Sequence, residues 1–260
     1  MKLFIVTQDE NVYLPSSIAA VCRAFPTDVT AIVSAPAMST HGGLLRGLRK
    51  QLAFLGLGGA AILGWRTVLA RLRSLRRSVG PDGPFDSMKQ VARAFDVPYV
   101  TVNRLSSPEM AAAVERYGGD LLVSISCPQI IGKKIRDRFP RGAINLHGSP
   151  LPRYRGLMPA FWVLRNNERE TAITVHELAA KLDDGDILAQ QPIEITPDET
   201  WDTLVRKTKR AGAELLVDTI RRIEAGTVER RPNLKSEATY FSFPTAADKR
   251  AFTAAGRRLF

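Results

Sequence analysis

Short apolar runs alternate with helical segments along the first half of the chain, and this alternation limits the fold more than any other feature. Four runs have the length and the β-branched content of buried strands, at residues 2–6, 29–34, 121–125 and 143–146. Strands that alternate with helices form a parallel sheet with helices on both faces. We therefore expect an α/β, Rossmann-like fold with a mostly parallel, twisted sheet and helices on both faces.

Apolar periodicity and helix-start residues predict the remaining elements. Ser107 and Pro108 have the positions of an N-cap and a first helical residue, which predicts a helix to about Tyr117. Further helices are predicted at 14–25, 87–95, 130–138, 158–166 and 200–224, and further strands at 99–102, 171–177 and 187–195. We expect one catalytic domain over 1–226 and a short C-terminal extension over 227–260 with an aromatic cluster at 240–244.

Polar segments follow three of the strands, at residues 7–11, 126–129 and 145–149. In α/β folds ligands bind at the edge of the sheet formed by the carboxyl ends of the strands. Asn145 and His147 lie two residues apart on a strand, so their side chains point to the same side. An amide, an imidazole and a later carboxylate such as Asp183 can polarise a carbonyl and move a proton.

These residues belong to a longer pattern. It begins Asn145-Leu146-His147-Gly148-Ser149, continues through a loop with proline and glycine to Gly156, and ends with His176 and Leu182-Asp183-Asp184-Gly185-Asp186. In order and spacing the pattern resembles the formyltransferase family that uses 10-formyltetrahydrofolate. The resemblance implies that Asn145 and a protonated His147 donate hydrogen bonds to the formyl oxygen. It also implies that Asp183 orients the imidazole and favours its charge.

The resemblance further implies a pocket for the pterin of the donor, between the loop before Asn145 and the loop before Asp183. The implied cofactor-binding residues are Gln129, Ile131, Ala179, Ala180, Lys181 and Asp183. Packing in the core is an equally good interpretation of Ile131. His176 also has two interpretations, a residue of the reaction or acceptor site and a buried structural histidine.

The loop after the first strand bears on the acceptor. Family members that act on glycinamide ribonucleotide carry a Gly/Ser-rich phosphate loop there, whereas this loop is acidic and has no glycine. Its Asp9 and Glu10 can pair with an amine, and a solvated surface loop is the alternative. Members that formylate initiator methionyl-tRNA carry an additional C-terminal β-barrel, for which we expect 227–260 to be too short.

The function predicted from these features is an N-formyltransferase that moves a formyl group from 10-formyltetrahydrofolate to a small amine, an amino sugar on a nucleotide or lipid carrier. Two alternatives stay open. One is a minimal methionyl-tRNA formyltransferase, which binds tRNA. The other is a non-catalytic folate-binding protein or membrane scaffold.

Charge and cysteine content bear on partners and location. The formal net charge of +11 indicates an anionic partner such as nucleic acid, anionic lipid or a phosphorylated substrate. Cys22 and Cys127 lie far apart and form no metal or redox motif, so no metal is expected. The first apolar run is too short for a signal peptide. We expect a cytoplasmic protein, with the inner face of the membrane as a further option.

Residues 42–80 form an expected insertion that is basic and partly apolar. It contains no Asp or Glu, and its basic residues are Arg46, Arg49, Lys50, Arg66, Arg71, Arg73, Arg76 and Arg77. The uncharged stretch 51–65 is shorter than the about 20 residues of a membrane-spanning helix, which predicts that it does not span. Three interpretations remain: docking on an anionic membrane, packing on the core of the protein, and a homodimer contact.

Overall fold

The computed structural model of the protein describes residues 1–36, 44–76 and 79–260, without the side chains of 44–48, 50 and 76. Its strands are β1 Leu3–Gln8, β2 Val29–Ala35, β3 Tyr99–Thr101, β4 Leu121–Ile125, β5 Ala143–His147, β6 Arg155–Gly156, β7 Glu170–Glu177, β8 Ile187–Glu194 and β9 Tyr240–Phe241. Its helices are α1 Pro15–Ala24, α2 Leu44–Arg76, α3 Met88–Ala94, α4 Pro108–Tyr117, α5 Lys133–Arg136, α6 Pro159–Arg165, α7 Trp201–Ala225 and α8 Ala246–Ala254.

Seven strands form one sheet in the order β3-β2-β1-β4-β5-β7-β8. The pairs from β3 to β5 are parallel, whereas β7 lies antiparallel to both β5 and β8. The prediction of a mostly parallel α/β sheet is confirmed. Because β5 and β7 run in opposite directions, Asn145 lies opposite His176 and His147 lies opposite Thr174. This register brings residues far apart in sequence to one edge of the sheet.

The alternation of side chains along β1 explains why helices cover both faces. Leu3 and Ile5 are buried on one face, in a cluster that includes Ile18 of α1. Phe4 is buried on the other face together with Met110 of α4. A strand with apolar residues on both sides needs a helical layer on each side. Helix α7 packs on the first face, so it runs beneath β5 and β7.

One local prediction was wrong, and two elements of the tail were missed. The helix expected at 130–138 is limited to α5, because Gly132 has the extended backbone of an N-cap and the residues before it form a loop. The tail contains two elements that were not predicted. Strand β9 pairs in parallel with β6, and α8 begins after Thr245, whose side chain accepts a hydrogen bond from the backbone of Asp248.

Helix α2 lies within the expected insertion. The backbone of Gly56 is non-helical (φ 70°, ψ 174°), so the helix is broken there. Phe54 and Leu55, just before the break, are buried with Trp201 in a third apolar cluster.

Among the described residues, Gln51–Leu75 is long and apolar enough to cross a membrane by length and composition. The length argument against a span is therefore wrong. Arg77 and the side chains of Arg46, Lys50 and Arg76 lie outside the described residues.

Candidate active site

Asn145 is held from both sides at the end of β5. Its Oδ1 accepts a hydrogen bond from the hydroxyl of Ser124 on β4 (2.8 Å). Its Nδ2 donates to Nε2 of His176 on β7 (3.1 Å). These two contacts determine the positions of Oδ1 and Nδ2 in the amide. The nitrogen carries a second hydrogen, and this hydrogen is the one that a substrate oxygen can accept.

His147 is buried next to Asn145, and each of its ring nitrogens faces an acceptor. Nε2 lies 3.0 Å from the carbonyl oxygen of Tyr154, to which it donates. Nδ1 lies 3.7 Å from Oδ2 of Asp183. That distance is too long for a hydrogen bond, so a hydrogen on Nδ1 is available to a substrate atom. The carboxylate still stabilises positive charge on the ring.

His176 is fully buried (0% exposed), behind Asn145. Its Nδ1 lies 2.8 Å from the carbonyl oxygen of Glu177, and a carbonyl can only accept, so Nδ1 carries the hydrogen. Its Nε2 is then the acceptor for Asn145 and lies 3.5 Å from Oδ1 of Asp183. A ring without exposed surface orients the amide of Asn145. It is not placed to meet an acceptor molecule.

Asp183 brings a buried carboxylate to both histidines. Its backbone has a positive φ of 49°, which is unusual for a residue other than glycine. The backbone N–H of Gly156 donates to Oδ2 (2.9 Å). Burial raises the pKa of the Asp183 carboxyl, but the charge of His147, the His176 ring and this N–H outweigh it and hold the pKa below its usual range. Asp183 is therefore a carboxylate at neutral pH.

Two glycines let this loop and the neighbouring chain approach closely. A side chain at position 185 would place its Cβ 1.9 Å from the carbonyl oxygen of Glu177. A side chain at position 156 would place its Cβ 2.2 Å from the carbonyl oxygen of Phe241. Gly185 thus lets the loop of Asp183 fold back on β7, and Gly156 lets β6 and β9 pair.

The arrangement can stabilise negative charge on an oxygen and accept a proton. Asn145 offers an amide hydrogen, and His147 in its protonated form offers a hydrogen on Nδ1 and a positive charge that Asp183 balances. All three predicted catalytic residues therefore meet at the edge of the sheet where the sequence placed them. In the described part of the chain no three His, Cys, Asp or Glu side chains cluster in a way that suits a metal ion.

The two loops predicted to hold the pterin lie together, and Arg136 joins them. Its Nη1 donates to the carbonyl oxygen of Ile131 (2.9 Å) in the first loop and of Ala179 (2.6 Å) in the second. Ile131 itself is 3% exposed and packs in the core, so its side chain has the structural role that the sequence left open. Neighbouring Ile130 is 65% exposed.

The other residues of these loops are placed in different ways. The side chain of Gln129 accepts from the backbone N–H of Leu105 (3.0 Å) and donates to the carbonyl oxygen of Asn103 (3.2 Å). It therefore ties the first loop to the segment after β3. Ala180 and Lys181 are exposed. Their role in binding the donor stays a prediction.

The predicted acceptor residues differ from each other. Asp9 is exposed. The carboxylate of Glu10 instead accepts hydrogen bonds from the backbone N–H groups of Val12, Tyr13 and Leu14, at the start of α1. Burial raises the pKa of Glu10, and these N–H groups oppose that rise. Glu10 is thus engaged in the fold, and Asp9 is the acidic side chain of this loop that faces solvent.

Several supporting groups at the site were missed from the sequence. Ser124 orients Asn145, and it is the polar residue within the apolar strand at 121–125, which is a usable signal. The carbonyl of Tyr154 accepts from both His147 and the hydroxyl of Ser149. Arg136 carried no signal, because its two carbonyl partners lie in different loops.

Comparison with known families agrees with this geometry. The formyl transferase family matches residues 72–220, which cover more than half of the chain and include Asn145, His147 and Asp183. The chain belongs to the formyl transferase family. The resemblance stated from the sequence is confirmed.

One similar curated relative is the methionyl-tRNA formyltransferase of Anaeromyxobacter sp. (strain K), which is 37% identical over 172 residues. The match covers 66% of this chain and 55% of the relative. The chain thus spans about half the length of the curated relatives it matches.

Solved structures share the fold. The N-formyltransferase from Helicobacter canadensis, in complex with folinic acid and dTDP-3-aminofucose, superposes with a TM-score of 0.59 at 19% identity, over 93% of this chain and 71% of that chain. Phosphoribosylglycinamide formyltransferase from Anaplasma phagocytophilum gives a TM-score of 0.62 at 14% identity, over 94% and 99%. At these identities the likeness concerns the fold.

Proposed function

We propose that this protein transfers a formyl group from 10-formyltetrahydrofolate to the primary amine of an amino sugar carried by a nucleotide or a lipid. The observation that carries the proposal is the arrangement of half-buried Asn145 with buried His147 and Asp183, within the range that the formyl transferase family matches. A formyltransferase needs a donor for the formyl oxygen and a charged group beside it, and these residues supply both.

In the proposed reaction the acceptor amine attacks the formyl carbon, and negative charge develops on the formyl oxygen. Asn145 and His147 donate to that oxygen, while Asp183 stabilises the charge on His147. The new C–N bond forms to the amine, and the bond from the formyl carbon to the folate nitrogen breaks. The amine loses a proton and the folate nitrogen gains one, and Asp183 and His147 lie where they can relay it through water.

The choice of acceptor has partial support from the fold and the charges. Neighbours of known structure include a sugar N-formyltransferase with a bound nucleotide sugar. Exposed Asp9 follows β1, at the edge of the sheet where the catalytic residues lie. A carboxylate there favours a cationic or amine-bearing acceptor.

Formyl transfer to candidate acceptors tests this choice. The protein is incubated with 10-formyltetrahydrofolate and either dTDP- and UDP-linked amino sugars, initiator methionyl-tRNA or glycinamide ribonucleotide, and products are measured by mass spectrometry. We expect formylation of at least one nucleotide-linked amino sugar with the highest kcat/KM. Asp9→Asn should raise the KM for that acceptor and leave the affinity for the folate unchanged. Formylation of none of the sugars would contradict the choice of acceptor.

A minimal methionyl-tRNA formyltransferase is the second candidate, because the 37% identical relative has that name. The net charge of +11 is compatible with tRNA binding. This candidate requires formylation of methionyl-tRNA at a higher kcat/KM than any sugar. It also requires tRNA affinity that falls steeply as salt rises.

We further propose that the protein works at an anionic membrane surface and docks there through α2. After the break at Gly56, one face of this helix exposes a row of apolar side chains to solvent. The row consists of Leu57, Ile62, Trp65, Val68, Leu72 and Leu75, exposed by 83, 40, 64, 48, 44 and 84%. Exposed apolar rows of this kind mark surfaces that bind something outside the chain.

The charges around this row favour anionic lipid as the occupant. Arg71 and Arg73 are exposed on the same helix, and α2 contains no acidic residue. Arginines beside an apolar helix face can reach lipid phosphates while the face lies in the interface. Each basic residue near such a membrane contributes about 1 kcal/mol.

The inner side of α2 is attached to the body of the protein near the catalytic edge. Arg66 donates to Oδ1 of Asp202 at the start of α7 (2.8 Å). Asp202 also accepts from the hydroxyl of Tyr13, in the segment after β1 (2.5 Å). These contacts favour a helix that lies on the membrane over one that leaves the body to span it. A helix attached in this way would keep the catalytic edge close to a membrane that holds an acceptor on a lipid carrier.

Flotation with vesicles tests the docking. We expect binding to phosphatidylglycerol-containing vesicles, no binding to phosphatidylcholine vesicles, and loss of binding in Arg71→Gln/Arg73→Gln and in Trp65→Ser. Lys134→Gln/Arg138→Gln removes the same charge from another exposed surface and should retain binding. Binding to neither vesicle type would exclude docking. Protein from a membrane fraction that resists alkaline carbonate extraction would instead indicate a span, and a concentration-dependent dimer lost in Trp65→Ser would indicate a second copy.

A further inference from the structure

Asn233 contacts the loop that carries Asp183 from a distant part of the chain. Its Nδ2 donates to the carbonyl oxygens of Asp183 (2.9 Å) and Gly185 (3.0 Å). Asn233 is 7% exposed and lies in the segment after α7, beyond the range that the formyl transferase family matches. Both amide hydrogens are thus used to hold the backbone on either side of the loop.

Arg155 completes the contact. Its Nη1 forms an ion pair with Oδ1 of Asp184 (2.5 Å), the residue after Asp183. Its Nη2 donates to Oδ1 (2.8 Å) and to the carbonyl oxygen (3.2 Å) of Asn233. The next residue, Gly156, donates its N–H to the carboxylate of Asp183. Arg155 and Asn233 therefore hold each other and the loop between them.

Strand pairing brings the two residues together. Arg155 and Gly156 of β6 pair with Tyr240 and Phe241 of β9. Arg231 forms a two-way backbone bridge with Ile187, at the far end of the Asp183 loop. The C-terminal segment is thus fixed on both sides of Asn233, which is then a rigid support for the loop.

The backbone of Asp183 explains why such a support is needed. Aspartate adopts a positive φ more readily than most residues with a Cβ, but at φ 49° the backbone of Asp183 is still less favourable than in the right-handed region. A change of φ would swing the carboxylate away from His147 and His176. Hydrogen bonds to the carbonyls of Asp183 and Gly185 oppose that change.

We infer that Asn233 and Arg155 are positioning residues that hold the Asp183 carboxylate against the two histidines. The C-terminal segment is then a part of the active site and not a separate extension. The inference rests on the proposed role of Asp183 in formyl transfer. It predicts that loss of the Asn233 donors acts on catalysis through Asp183.

Two variants of Asn233 separate the donors from the rest of the side chain. Asn233→Ala removes the whole contact. Asn233→Asp has nearly the same shape and keeps an acceptor for Arg155, but it cannot donate to the two carbonyls. The matched control is Thr245→Ala, which removes the cap of α8 in the same C-terminal segment by breaking its bonds to Asp248.

The readout that does not depend on activity is the imidazole resonances of His147 and His176. With His41 they are the three histidines of the chain, so the spectrum is simple. At fixed pH both resonances should shift in Asn233→Ala and in Asn233→Asp, and neither should shift in Thr245→Ala. In formyl transfer we expect kcat to fall about 10- to 100-fold in the Asn233 variants, the cost of a misplaced catalytic group, with the acceptor KM unchanged.

The outcomes distinguish the inference from the proposed function. Unshifted histidine resonances in folded Asn233→Asp would overturn the inference, and so would equal losses of kcat in Thr245→Ala. Shifted resonances in a protein whose wild type transfers no formyl group would uphold the positioning and reject the function. If Asn233→Ala does not fold, Asn233→Asp alone decides.

Discussion

The catalytic edge and helix α2 use their side chains in different ways. His147 and Asp183 are buried and Asn145 is half-buried, and hydrogen bonds from neighbouring strands and loops fix their orientation. The outer face of α2 instead exposes Trp65 and Leu75 by 64 and 84%. A fixed, buried site suits the stabilisation of charge in a reaction, because its groups need no rearrangement. An exposed apolar face instead gains free energy when it is buried against a partner outside the chain.

The largest expected effect is on the free energy of unfolding, and it compares a core residue with a residue on the outer face of α2. Phe161 is fully buried and packs against Phe54 and Phe252. Phe161→Ala should lower the free energy of unfolding by about 3–5 kcal/mol, since it removes a core aromatic ring. Trp65→Ala should change it by no more than about 0.5 kcal/mol. Urea unfolding measures both. A large loss in Trp65→Ala would show that the outer face of α2 has a partner within this chain.

The next effect concerns the catalytic edge. Asn145→Ala, His147→Ala and Asp183→Asn should each reduce the turnover of formyl transfer by about 10²–10³-fold, the usual cost of losing a donor to a developing oxyanion. Their effects should not add, because the three residues act as a unit.

The control is Asp186→Asn, an exposed residue of the same loop, which should retain turnover. Circular dichroism should show the wild-type fold in all four variants. Near-wild-type transfer by a triple variant of Asn145, His147 and Asp183 would contradict the mechanism.

A smaller effect compares the aspartates of the two regions in acid. Burial raises the pKa of the Asp202 carboxyl, but the Tyr13 hydroxyl, Arg206 and Arg66 outweigh it and lower the pKa, as happens for Asp183. A pKa that is lower in the folded state gives stability that is complete above the unfolded value of 3.8 and is lost as pH falls through the folded value.

Asp183→Asn and Asp202→Asn should therefore be less stable than the wild type near pH 6, by a difference that narrows below about pH 4. Thermal unfolding between pH 6 and pH 3 measures the difference. A gap that stays constant over this range would show that these carboxylates do not gain stability from their charge. If only Asp202→Asn loses stability near pH 6, the electrostatic stabilisation comes from the contact of Asp202 with Arg66 of α2 and not from the catalytic edge.

Much of the fold was predictable, because the buried strands and the helix starts carry local signals. Ser107 and Pro108 predicted the beginning of α4 correctly. Helix α8 had a usable signal as well, since Thr245 and Asp248 form a capping box. Strand β9 had none. It has two residues and exists through its pairing with β6, which depends on a contact distant in sequence.

The residues of the candidate site also fall into those with a local sequence signal and those without one. Asn145, His147 and Asp183 belong to a pattern with fixed order and spacing, and the resemblance to a family named them. Asn233 and Arg155 could not be found from the sequence, because their partners are the carbonyls and the carboxylate of a loop far along the chain. Support of a site by long-range hydrogen bonds leaves no local pattern.

The measurement that most directly tests the central claim is the binding of 5-formyltetrahydrofolate, a stable relative of the proposed donor, by calorimetry and by thermal unfolding. The account predicts saturable binding at one site and a rise in Tm, since a ligand at 100 times its Kd stabilises the native state by about 2.7 kcal/mol. Asp186→Asn should bind like the wild type. No heat of binding and no change in Tm at high micromolar ligand would contradict the claim that the edge of Asn145, His147 and Asp183 is a folate-dependent formyltransferase site.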